Sequence, residues 1–163
     1  MTDKRKTVFD WNYISKDLND DHVKELKSYY RTYHKKCWAY KQATRRYKKL
    51  KWIANSASII FASGGLVSSI ATGGISLVAV SSAALLIQGW MKHQNLDLKI
   101  HNCQYAYQSY DHLLVMIKEA ARSGNFDRDS LINSLTNTDN FVADNSPVVD
   151  KYLKKYDDYF ISE

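Results

Sequence analysis

Residues 52–91 read WIANSASIIFASGGLVSSIATGGISLVAVSSAALLIQGWM, forty positions from Trp52 to Met91 without one Asp, Glu, Lys, Arg or His. Lys48, Lys49 and Lys51 precede the stretch, and Lys92 and His93 follow it. Forty uncharged residues are too many for one buried helix of a soluble protein, but they suit two spans of about twenty residues each. A break falls naturally at Ala71-Thr72-Gly73-Gly74, where Gly73 and Gly74 supply the backbone freedom that a tight reversal requires. The expectation is two apolar helices, 52–71 and 75–91, folded back on each other. Trp52 and Trp90 stand at the ends that meet, beside the lysines, where interfacial anchors of a membrane span belong.

Outward from this stretch the helical period continues on both sides. Before it, Val23, Leu26, Tyr30, Tyr33, Cys37, Tyr40, Thr44 and Tyr47 recur at alternating spacings of three and four. After it, Leu96, Ile100, Cys103, Tyr107, Tyr110, Leu114, Ile117 and Ala121 do the same, which is the period of helices packed knobs into holes. An antiparallel hairpin that turns near Gly73 sets these seams opposite each other in order, Tyr47 against Leu96 through to Val23 against Ala121. Carried inward, the same register sets Ala54 against Gly89, Ser58 against Leu86, Phe61 against Ser82 and Gly65 against Ala79. Small residues then face large ones, the packing expected of helices in lipid. Small residues at Ala54, Ala57, Ser58, Ala62, Gly65 and Ser69 would also let further hairpins approach.

The predicted fold class is therefore all-α. It is a long antiparallel helical hairpin, residues 21–122, in which two apolar membrane spans continue into a coiled-coil-like stalk. An N-terminal segment, 1–20, carries Val8, Phe9, Trp11, Tyr13 and Ile14 and is read as a loop or short packing element. Asp20 or Asp21 can cap the first helix. Ser123-Gly124-Asn125 reads as its partner's stop. In the C-terminal appendage, 123–163, Asp127 caps a short helix to about Leu135, and a polar linker covers 136–145. Ser146-Pro147 then starts a last helix over 147–161. The first twenty residues are too polar for a cleavable signal peptide, so insertion is expected to use the internal hairpin.

The charge is uneven. The chain of 163 residues carries a net +6, and no acid occurs between Glu25 and Asp97. Nine basic residues lie from Arg31 to Lys51, among them Lys35, Lys36, Lys41, Arg45, Arg46, Lys48, Lys49 and Lys51. Such a run is a solvated helix face flanking a membrane span, a contact for anionic head groups, or a contact for nucleic-acid phosphates. Beside a membrane span it also keeps both termini on the cytoplasmic side. Cys37 and Cys103 lie in no metal or redox motif, and with His34 and His101 nearby they still lack four-ligand spacing, so they read as small apolar groups. No nucleophile–base arrangement, phosphate-binding glycine loop or carboxylate pair stands out. The chain reads as non-enzymatic, with no cofactor and no metal.

The layout resembles a family of small proteins of Polinton/Maverick-type elements and adintovirus-like DNA viruses. The likeness lies in a basic, Tyr-rich helix, a Gly/Ser/Ala-rich apolar hairpin with a Gly-Gly turn, and the run LLVMIKEAARSGNFDRDSLINSL. Its positions are Ile117, Ala121, Gly124, Phe126, Leu131, Ile132 and Leu135. Over about residues 25–136 this resemblance implies a virion or membrane-remodelling role, with capsid proteins as possible neighbours. It is also similar to two-transmembrane SLATT-type effectors through Tyr110 and Leu113 on the returning helix, which implies a pore former. The expected function is a self-associating, membrane-embedded component of a virus or virus-like element, at a viral or host internal membrane. The alternatives are a pore-forming effector and a soluble helical-bundle subunit of a larger assembly.

Overall fold

The computed structural model describes residues 11, 14–72, 75–147 and 149–160, and for 64–72, 75–79, 158 and 159 the backbone alone. The expected Gly73–Gly74 turn and the side chains of Gly65 and Ala79 lie outside the described residues. Among those described the chain is all-helical: α1 (Asp20–Thr72), α2 (Ile75–His93), α3 (Leu96–Ser123), α4 (Arg128–Asn145) and α5 (Asp150–Tyr159). The contacts divide it into two units, 1–43 with 101–163, and 44–100.

The first unit holds the large core. The start of α1 is capped by Asn19, not Asp20 or Asp21: the Asn19 side-chain oxygen accepts the His22 N–H at 2.7 Å. Asp20 and Asp21 lie in the first turn, where acidic charge complements the helix dipole. Leu26, Tyr30, Tyr33, Cys37 and Tyr40 of α1 are buried with Cys103, Tyr110, Leu114, Ile117 and Ala121 of α3. Two of the pairs expected opposite each other meet. The Tyr33 and Tyr110 rings lie 5.8 Å apart, and the Cys37 thiol points at the Tyr107 carbonyl at 3.8 Å. Helix α3 stops where expected, with Gly124 at φ +72°, the left-handed conformation that follows many helix ends. Ahead of α1, the Ser15 N–H donates to the Ala121 carbonyl at 2.9 Å, and Trp11 packs edge-on against Tyr30.

The C-terminal elements differ from expectation. Residues 136–145 are not a linker: they are the second half of α4, capped by Asp127, whose side chain accepts the Ser130 N–H. Leu131, Leu135 and Val142 fall on one face and are buried, so packing overrides the weak helix propensity of Thr, Asn and Asp. Ser146 does not start the last helix. Its N–H bonds the Val142 carbonyl and closes α4, and α5 begins at Asp150 after the N-cap Val149.

The second unit has the part of α1 from Thr44, all of α2 and the start of α3. The returning chain is not one helix here. It breaks between α2 and α3, where the Asn95 N–H reaches the Lys92 carbonyl and Asn95 takes φ 48°. Asparagine tolerates this conformation better than most residues. Among the described residues no helix is long and apolar enough to cross a membrane, so the two spans expected over 52–71 and 75–91 are not found. About half of residues 52–91 are Gly, Ala, Ser or Thr, which dilute the aliphatic content.

Candidate membrane-facing surface

The second unit is thinly cored. Apart from Leu96 and Ile100 near its end in sequence, its buried described side chains are Thr44, Ala54, Ser58 and Ala84, all small. The Gln88 amide of α2 donates to the Ser58 hydroxyl of α1 at 3.2 Å. Small side chains let two helices approach closely, but they remove little apolar area from water.

Many of the described large apolar side chains point outward instead. Trp52 is 69% exposed, Ile59 67%, Ile60 68%, Leu85 68% and Leu86 74%, and Ile53, Phe61 and Trp90 are exposed as well. Of the expected packing residues, Ala54 and Ser58 are buried, whereas Phe61, Ser82 and Gly89 are exposed. A methyl group added at Gly89 would meet nothing within 4 Å, so Gly89 makes no close approach. The inner face of α2 is Ala84 with the half-buried Val80, Ile87 and Met91. For Ser82 and Gly89 of α2 the reason is the break at Asn95. A spacing extrapolated from α3 into α2 assumes continuous helical phase, and the turn resets it.

The basic residues fall into two groups. In the second unit Arg45, Arg46, Lys48 and Lys49 are exposed, and Lys51 is paired with Asp97. In the first unit Lys35 and Lys36, expected to face head groups or nucleic acid, are held by acids of the same unit. Lys35 meets Asp157 and Lys36 meets Asp139, each at 2.7 Å. Lys41 lies over the Tyr107 ring at 5.3 Å. The outward basic charge therefore concentrates at Arg45–Lys49, next to Trp52 in sequence.

Two polar clusters in the first unit were not legible beforehand. Asp139 of α4 accepts from the Tyr33 and Tyr110 hydroxyls at 2.9 Å each and from Lys36. Burial and this carboxylate both push the two phenols well above the usual tyrosine range, so they stay protonated donors. On another side of α1, His34 Nδ1 lies 2.6 Å from the Tyr156 hydroxyl. Its ring stacks on Tyr30 and meets Phe160 edge-on at 5.2 Å. Burial, with the positive charges of Lys118 and Lys41, lowers the His34 pKa and keeps the ring neutral. The only advance signal was the regular placing of Tyr and Phe in the last helix.

Cys37 and Cys103 are free and buried, and burial pushes their thiols up to about 12 and about 11. A thiol so rarely ionised is a poor nucleophile and a poor metal ligand. Among the described residues no three His, Cys, Asp or Glu side chains converge in a way that could hold a metal ion. What the arrangement can do is physical: it presents indole and aliphatic groups beside exposed lysine and arginine. No protein-family model, no curated protein and no solved structure matches the chain.

Proposed function

We propose that this chain is a non-enzymatic, self-associating helical hairpin protein whose second unit enters a lipid bilayer from one side. It would serve as a structural or membrane-active component of a virus or virus-like element. The observation that carries the membrane reading is the outward set Trp52, Ile53, Ile59, Ile60, Phe61, Leu85, Leu86 and Trp90 on a unit cored by small residues. Full burial of one large apolar side chain is worth about 1.5–3 kcal/mol, so transferring these eight partly exposed groups supplies on the order of 10 kcal/mol. Exposed Arg45, Arg46, Lys48 and Lys49 suit the anionic head groups at such a surface. The viral assignment rests on the resemblance in layout over residues 25–136.

The insertion is an entry without crossing, in keeping with the limited apolar length of the described helices. That same limit favours a second reading, a helical-bundle subunit whose apolar surface is covered by protein, either another copy or a larger assembly. Flotation of the purified full chain with liposomes, followed by an alkaline carbonate wash, separates the two. Retention with the vesicles is the expected result. Release into the aqueous fraction would overturn the membrane reading and point to a protein cover. Dye leakage from the same vesicles marks a pore former, and tight vesicles mark a scaffold.

A further inference from the structure

The second unit also contains a cleft of about 420 Å³. Lys51 and Asn55 of α1 line it, with Gln88, Met91 and Lys92 of α2 and Asp97 of α3. Asn55 and Gln88 are the only amide side chains among the forty uncharged residues 52–91, and both open on this one cleft. Two cations share it with them. Lys51 is paired with Asp97, and Lys92 makes no ion pair among the described residues. The lining therefore carries a net charge of +1, from two lysines and one aspartate. In sequence the exposed indoles Trp52 and Trp90 stand next to these groups, at the boundary between the uncharged stretch and its basic flanks.

Resting on the membrane reading above, we infer that this cleft is a binding site for the head group of an anionic glycerophospholipid such as phosphatidylglycerol. Ammonium groups are strongly hydrated point charges that bind phosphate well. Amides both donate and accept, so they suit a polyol head substituent and not the phosphate alone. Gln88 already donates to Ser58, which holds its amide in place. Asp97 is the built-in competitor: on binding, Lys51 exchanges the carboxylate for the lipid phosphate. Tryptophans beside the cleft belong at the level where head groups lie.

The test is partition of the full chain onto vesicles of phosphatidylcholine alone and of phosphatidylcholine with phosphatidylglycerol, at fixed salt. A lysine near an anionic surface is worth roughly fivefold in affinity, so the two lysines and the amides give an expected preference of about tenfold or more for the anionic vesicles. The decisive variants are Lys92→Gln and Asn55→Leu. Asn55→Leu leaves the net charge unchanged and fills the cleft at an exposed position that the fold does not need. The site predicts that both variants lose most of the preference, while Lys49→Gln, outside the cleft, keeps most of it. An Asn55→Leu chain with an undiminished preference overturns the site and leaves diffuse attraction. Equal binding of both vesicles by the unaltered chain also overturns the site, yet keeps the membrane reading. Binding to neither vesicle overturns both.

Discussion

Replacing Asp139 by alanine should destabilise the first unit by about 3 kcal/mol, a figure assembled from its partners. The Tyr33 and Tyr110 hydroxyls each donate to the carboxylate at 2.9 Å, on side chains that are themselves buried. An orphaned buried hydroxyl costs about 1–3 kcal/mol; since the Asp139 side chain is 33% exposed, water can reach part of the site, and about 1.5 kcal/mol for each is reasonable. The Lys36 ammonium is half-exposed and can turn to water, so it adds little. A chain of this size loses about 2–4 °C in Tm per kcal/mol, which gives a drop of about 6–12 °C.

Urea unfolding followed by far-ultraviolet and tyrosine near-ultraviolet circular dichroism measures the effect, with an unchanged slope as the sign that the folded state is intact. Asp139→Asn keeps one acceptor oxygen and should cost about half as much. A double-mutant cycle with Tyr33→Phe tests the mechanism itself. Once Asp139 is gone, removing the orphaned Tyr33 hydroxyl should recover about 1.5 kcal/mol in place of costing stability, so the cycle is strongly non-additive. A loss under about 0.5 kcal/mol in Asp139→Ala, or strict additivity in the cycle, would refute the idea that this carboxylate fastens α4 to α1 and α3.

Two further predictions concern pH and backbone. His34 has its pKa lowered in the fold, so below its ordinary value near 6.5 the unfolded chain binds more protons than the folded one. Its contribution is thus complete at neutral pH and above and is lost as the pH falls through and below about 6.5. Melting at pH 7.5 and 5.5 should show this loss in the unaltered chain and a smaller one in His34→Gln; parallel losses would remove His34 as the cause. Gly124→Ala should lower stability by about 1–2 kcal/mol, because φ is +72° and an added Cβ lies 2.6 Å from the Ser15 hydroxyl. The contrasting change Gly89→Ala meets nothing within 4 Å inside a helix and should be neutral or stabilising by up to about 1 kcal/mol. Thermal melts of the two variants check the opposite signs.

The all-helical class and the pairing of α1 with α3 were legible because large residues at a regular spacing leave little choice of face. Tyr33 against Tyr110 follows from spacing alone. The second half of α4 was not legible. Thr136 to Asn145 has few strong helix formers, and its helix depends on Leu135 and Val142 finding a core and on Asp139 finding Tyr33, Tyr110 and Lys36. Such contacts are tertiary and leave no local trace. The break at Asn95 carried only a weak mark, an asparagine without glycine or proline, and missing it put Ser82 and Gly89 of α2, which are exposed, among the expected packing residues. The cleft has a sequence mark visible in hindsight: Asn55 and Gln88 are the only amide side chains in the uncharged stretch.

The two units follow opposite rules of side-chain placement, and this difference carries the functional argument further than either unit alone. In the first unit most large side chains turn inward, Tyr105, Val115 and Phe141 apart: Tyr156, Leu26 and Ile117 are among the most completely buried, and the phenols of Tyr33 and Tyr110 find acceptors. That is how a protein resolves its interior in water, where apolar area is hidden and buried polar groups are paired. Among the described side chains of the second unit, Ala54, Ser58 and Ala84 turn inward while Trp52, Ile59, Ile60, Leu85 and Leu86 turn outward. A chain selected for water alone gains nothing from this inversion, because Leu85 and Leu86 would stabilise it more if exchanged with Ala84. The proposed membrane reading accounts for this placement: in apolar surroundings, close helix approach through Ala54, Ser58 and Ala84 would supply the packing and the outer leucines the solvation.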